Sequence, residues 1–107
     1  MLYRFKSKAS GDVIMLEPNG KQVLTIVGKD PSGPGIILPD QMPGAVQALR
    51  DAIFEDEAEH QRECQEALAR GDEQPDRDRV TLRVRAAPFI DLLQHSMREH
   101  AEVIWGV

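Results

Sequence analysis

The chain contains a single cysteine, Cys64, among its 107 residues, and this scarcity excludes an intrachain disulfide. One free thiol is typical of proteins in a reducing compartment, so we predict a cytoplasmic protein. The sequence also lacks any apolar run near the ~20 residues that a transmembrane helix needs. No apolar signal segment is present at the start, because charges already occur at Arg4, Lys6 and Lys8. We therefore expect no membrane partner.

Basic charge is scarce, and it is distributed unevenly. The sequence has 13 lysines and arginines against 18 acidic residues, which gives a net charge of −5. Residues 1–30 carry five bases and three acids (+2), whereas residues 55–79 carry four bases and ten acids (−6). Binding through phosphates needs a clustered basic surface, so this pattern argues against a nucleic-acid partner.

Aromatic residues are rare, and three of the five lie at the two ends of the chain. Residues 2–6 alternate apolar and basic side chains, and residues 102–107 are rich in β-branched and aromatic ones, as is typical of strands. Termini fray unless other elements hold them. We therefore predict that two terminal strands pair with each other, and that Tyr3, Phe5 and Trp105 belong to the core.

The segment from residue 13 to residue 27 fits two different structures. Asn19-Gly20 between two apolar runs is typical of a hairpin. The apolar positions 13, 16, 23, 24 and 27, however, share one helical face. Pro18 suits the first turn of a helix, and Gly28 suits the position after its end. We favour two short helices divided near Pro18, with the hairpin as the alternative.

Two longer helices are predicted in the second half. Apolar residues at 46, 49 and 53 recur at helical spacing, and this helix is expected to continue towards Arg70. Residues 71–79 are polar and are predicted to form a flexible loop. A further helix is expected from Thr81, as its N-cap, with a kink or restart at Pro88.

These elements predict a single α+β domain spanning residues 1–107. Its small two-stranded sheet, formed by the N- and C-terminal strands, packs against three or four helices. Residues 55–79 form an acidic, polar helix extension and the flexible loop. The open edges of so small a sheet leave room for self-association.

His60 and Cys64 lie four residues apart on one face of a predicted helix, a spacing that a metal site can use. A small-molecule or metal site between the helices would combine them with His95. A structural zinc site needs about four ligands, however, and the sequence has no Cys-x-x-Cys or His-x-x-x-His motif to supply the others. We expect no cofactor, and this site is the alternative hypothesis.

Catalytic motifs are missing. Gly28-Lys29 precedes the glycines of its loop, the reverse of the Walker A order, and no Gly-x-Ser-x-Gly sequence occurs. His95 and Ser96 are neighbours, so on a helix their side chains point about 100° apart. We predict no catalytic residue, and a small enzyme is the third hypothesis.

One sequence pattern spans nearly the whole chain. It consists of residues 1–7 (MLYRFKS), 11–16 (GDVIML), 35–37 with 41–43, and 103–107 (VIWGV). This pattern resembles a family of small, mostly proteobacterial proteins that is catalogued as a domain of unknown function. The resemblance implies a single-domain cytoplasmic protein. It implies no activity, substrate or catalytic residue.

The function that these observations favour is a small non-catalytic interaction or accessory domain, which binds an unknown protein partner or a second copy of itself. The acidic helix would provide the contact surface. Its candidate contact residues are Glu55, Glu59, Glu63 and Glu66.

Overall fold

The computed structural model describes residues 2–72 and 81–106. In chain order its elements are β1 (Leu2–Ser7), β2 (Ser10–Leu16), α1 (Glu17–Ile26), β3 (Gly35–Ile37), a 3-10 turn (Pro39–Gln41), α2 (Met42–Arg70), α3 (Leu82–Arg98) and β4 (Val103–Trp105). The four strands form one antiparallel sheet in the order β2-β1-β4-β3.

The prediction of a two-stranded sheet is wrong, although the α+β class is correct. The two terminal strands do pair, with Phe5 opposite Trp105 and Lys6 opposite Ile104. Two further strands extend them: β2 lies outside β1, and β3 lies outside β4. β4 is therefore a central strand of the sheet.

The prediction of two helices between residues 13 and 27 is wrong for its first half, and the hairpin alternative is wrong as well. Met15 is buried between the exposed residues Ile14 and Leu16, the alternation of a strand, and this segment completes β2. The helix begins at Glu17, so Pro18 lies in its first turn as predicted. Gly28 follows the helix end with φ +82°, a left-handed conformation that glycine adopts without strain.

One hydrophobic core joins the sheet to the three helices. The strand residues that face it are Phe5, Met15, Ile37, Val103 and Trp105, all from the same side of the sheet. The predicted helical stripes pack against them. Phe5 is central, because its ring lies 4.7 Å from Phe89 and 6.1 Å from Trp105 between centroids. The prediction that Phe5 and Trp105 belong to the core is thus confirmed.

The long helices largely follow the prediction. α2 runs unbroken for 29 residues to Arg70, about 43 Å. The N-cap of α3 is Thr81, whose Oγ1 accepts a hydrogen bond from the backbone N–H of Val84 at 3.3 Å. The sequence predicts a kink or a restart at Pro88; the restart is wrong, because α3 continues through the exposed proline to Arg98, and the kink stays a prediction. Most of the predicted flexible loop, residues 73–79, lies outside the described residues.

Candidate functional site

Two aromatic side chains fasten the proline- and glycine-rich loop to the sheet. The hydroxyl of Tyr3 donates to the carbonyl of Pro31 at 2.6 Å, and the indole N–H of Trp105 donates to the carbonyl of Gly33 at 3.1 Å. A cavity of about 250 Å³ lies between this loop and the end of the sheet. Because both polar groups already bind backbone carbonyls, we interpret these aromatics as structural.

The side of the sheet that faces away from the helices is the main exposed apolar surface of the described residues. The register pairs Leu2 with Leu16, Arg4 with Ile14, and Ile104 with both Lys6 and Ile36. All these residues point away from the helices, because their strand neighbours form the core. We call this side the open face. It comprises Leu2, Arg4, Lys6, Asp12, Ile14, Leu16, Ile36 and Ile104.

The aliphatic residues of the open face are well exposed. Leu2 and Leu16 are each 62% exposed, and Ile14 is 52% exposed. Ile36 is 41% exposed at the other end of the face. The sequence alone does not reveal this surface, because Leu2 and Ile36 come to the same side of the sheet only through its register. Local indications are the apolar runs at residues 13–16 and 36–38, in which a strand has apolar residues on both of its sides.

Two cations lie on β1 at the centre of the open face. Nε of Arg4 lies 3.9 Å from a carboxylate oxygen of Asp12, and both side chains are about half exposed. Lys6 is half-buried and lines a shallow depression with Ile104 and Glu102. Within residues 2–72 and 81–106, Lys6 forms no ion pair. Both cations thus have a carboxylate near them: Asp12 beside Arg4, and Glu102 in the depression that Lys6 lines.

A second concavity lies between α2 and α3. This groove of about 460 Å³ has an apolar floor that includes Ile53 and Ile90, and the 72% exposed Phe54 lies at its side. Arg83 lines it as well and donates two hydrogen bonds to the carboxylate of Glu57. The ion pair lowers the pKa of Glu57 and ties the two helices together.

The structure separates the residues of the predicted metal site. Sγ of Cys64 lies 3.8 Å from Nε2 of His60, as the helical spacing requires. Glu57 on α2 contacts Arg83 on α3, and the two helices are antiparallel. Along the helix axes, His60 and His95 therefore lie in opposite directions from this contact. His95 lies twelve residues beyond Arg83, about 18 Å along the helix. Among the described residues, no group of three His, Cys, Asp or Glu side chains could hold a metal ion.

The four glutamates predicted as contact residues are all exposed on α2. Their spacings of four, four and three residues place them along one side of the helix. The inner side of this half of α2 is formed by His60, Cys64 and Ala67, which are less exposed. The acidic stripe of Glu55, Glu59, Glu63 and Glu66 therefore exists as a surface, away from the sheet core.

These features define a small α+β domain; in the part of the chain that the structure describes, helices cover only one side of its four-stranded antiparallel sheet. The model of the family described as "Domain of unknown function (DUF1840)" matches residues 1–105, and the chain belongs to this family. The family resemblance predicted from the sequence is thus confirmed. Neither a curated protein nor a solved structure matches the chain. No helix in the described ranges is long and apolar enough to cross a membrane.

Proposed function

We propose that the chain is a non-catalytic interaction domain that binds a protein partner through the open face of its sheet. One observation supports this above all. Of the eight large hydrophobic residues that are exposed within the described residues, four lie on that face: Leu2, Ile14, Leu16 and Ile36. An exposed apolar surface rimmed by polar residues is typical of protein interaction sites.

The composition of the open face departs from that of an ordinary solvated sheet. An antiparallel sheet with one solvated side normally carries polar residues there. Arg4 and Lys6 follow this rule on β1, whereas Ile14 and Leu16 on β2 and Ile36 on β3 do not. The exposed part of an aliphatic side chain does not stabilise the isolated fold, but its burial by a partner contributes to binding.

Site-specific photo-crosslinking in the native host tests this function. A photoreactive residue replaces Ile14 or Ile36 on the open face, and a matched control replaces the exposed Gln61 on α2. We expect the same protein to be crosslinked from positions 14 and 36, through one mapped segment, and not from position 61. Equal crosslinking from all three positions, or none from the open face, would contradict the proposal.

The captured protein is then purified and its affinity measured. Burial of one leucine or isoleucine is worth about 1.5–3 kcal/mol, so Leu16→Glu or Ile36→Glu should weaken binding at least tenfold. Gln61→Glu adds the same charge elsewhere and should leave the affinity unchanged. Circular dichroism confirms that each variant folds. An unchanged affinity in both open-face variants would remove the open face as the contact surface.

The acidic stripe of α2 and the cytoplasmic location stay predictions from the sequence. The small-molecule or metal-binding alternative keeps only the His60–Cys64 pair, since His95 lies elsewhere. Self-association is one outcome of the crosslinking experiment, in which the captured protein would be the chain itself.

A further inference from the structure

We propose that the groove between α2 and α3 binds a free α-amino acid with a large apolar side chain. This site goes beyond the proposed function and is separate from the open face, because the two helices cover the other side of the sheet. The length of the groove, its apolar floor and the charges along its rim each restrict what can bind there.

The groove is short and is bridged at one end. Glu57 and Arg83 are joined there by two hydrogen bonds. Arg50, at the other end of the α2 side, lies seven residues before Glu57, about 10 Å along the helix. A helix or strand of another protein that lay along the groove would collide with the bridge, whereas a small molecule fits between the bridge and Arg50. The geometry therefore favours a small molecule.

The floor of the groove favours a ligand with an apolar part. Ile53 is buried and Ile90 is half-buried, and both line the cavity of about 460 Å³, a volume within the usual range of small-molecule sites. Ile53 and Ala87 each lie four residues from the bridge on their helices, and the small alanine leaves space beside the ring of Phe54. This ring is 72% exposed, so a ligand side chain that covers it contributes to binding.

Two opposite charges lie at the end away from the bridge. Asp91 lies eight residues beyond Arg83 on the antiparallel α3, so it is at nearly the same level as Arg50. Both side chains line the groove and are exposed, and neither forms an ion pair with a described residue. Among the described lining residues, the other charged one is Arg83, which Glu57 neutralises.

This pair of charges selects a zwitterion. A ligand with a carboxylate alone would place its negative charge near Asp91, and an amine alone would place its positive charge near Arg50. An α-amino acid carries both charges on one carbon, so Arg50 binds the carboxylate and Asp91 binds the ammonium group. The apolar side chain then lies over the floor and points towards the bridge.

Nuclear magnetic resonance titrations of the full chain test the site. L-phenylalanine and L-leucine are added separately while the backbone amide signals are followed. We expect saturable shifts at residues 50–54 and 87–94. For the tighter ligand, the analogue without the ammonium group, the analogue without the carboxylate, and glycine should each bind at least about tenfold weaker. If neither amino acid gives saturable shifts in these ranges, the groove is not an amino-acid site.

Two substitutions assign the charges. Arg50→Gln should weaken the amino acid at least about tenfold and leave binding of the analogue without the carboxylate unchanged. Asp91→Asn should cause a similar loss and leave the analogue without the ammonium group unchanged. The control Arg62→Gln on α2 should have no effect, and circular dichroism confirms that each variant folds. An amino acid that is indifferent to both substitutions, or that binds no tighter than the analogue without the ammonium group, would overturn the proposal.

Discussion

Ile36 and Ile37 are neighbours in β3, and their side chains lie on opposite sides of the sheet. Replacing each with alanine compares the burial of the same side chain on the two sides. Ile37 faces the core and is 1% exposed, whereas Ile36 lies on the open face and is 41% exposed. Ile→Ala removes the same atoms from the same strand in both cases, so any change in strand propensity is shared. The difference between the two variants therefore reports burial alone.

The expected magnitudes differ clearly. At Ile37 the substitution removes three buried carbons, each worth about 0.8 kcal/mol, and leaves a cavity, so we expect a loss of about 2–5 kcal/mol in the free energy of unfolding. At Ile36 only part of the side chain is buried and water replaces the missing atoms, so the loss should be about 1 kcal/mol. At about 4 °C per kcal/mol for a domain of this size, the Tm values should differ by at least about 4 °C.

Urea denaturation followed by circular dichroism measures both free energies, and calorimetry gives the Tm values. Equal losses at the two positions would refute the assignment of an open face. If the loss at Ile36 grew with protein concentration, a second copy would be covering that face, because association makes stability depend on concentration.

Further substitutions test other contacts. Gly20→Ala should destabilise the fold although alanine favours helices, because the new Cβ would lie 2.5 Å from Cδ2 of the Tyr3 ring. At the control position Gly44 a Cβ meets nothing within 4 Å, so Gly44→Ala should stabilise the fold by about 0.4–1 kcal/mol. Tyr3→Phe removes the hydrogen bond to the loop carbonyl and should cost about 1 kcal/mol in urea denaturation; an unchanged midpoint would show that the loop does not depend on it. Arg83 lowers the pKa of Glu57 from its usual value of 4.5. The pair therefore stabilises the fold above pH 4.5, and this contribution is lost as the pH falls through the lowered pKa. Glu57→Gln should make the free energy of unfolding fall less steeply with decreasing pH in the acid range, and an identical fall in both proteins would contradict the pairing.

The elements that the sequence predicts well are those whose evidence is local. The stripe at Val46, Leu49 and Ile53 repeats over several helical turns, and both Thr81 and Gly28 have conformational preferences of their own. Residues 13–16 were predicted wrongly because Val13 and Leu16 are three apart, a spacing that suits a helix. Only pairing with β1 makes this segment a strand, and such pairing cannot be found from a short window.

The candidate site was harder to predict than the fold. The proximity of His60 and Cys64 follows from helical spacing, but the distance to His95 depends on the direction in which α3 crosses α2. The open face combines residues from four strands that are distant in sequence. Its apolar character therefore became visible only with the register.

The central position of β4 has a consequence for folding during synthesis. Phe5 pairs with Trp105, so the contact that joins the two halves of the sheet spans almost the whole chain. Until residue 105 has left the ribosome, the β1–β2 hairpin and β3 have no strand between them, and the edges of β1 and β3 that pair with β4 stay open. Contacts of such long sequence separation form slowly, and exposed strand edges favour aggregation in the meantime. The nascent chain is thus most vulnerable to aggregation just before its last strand emerges.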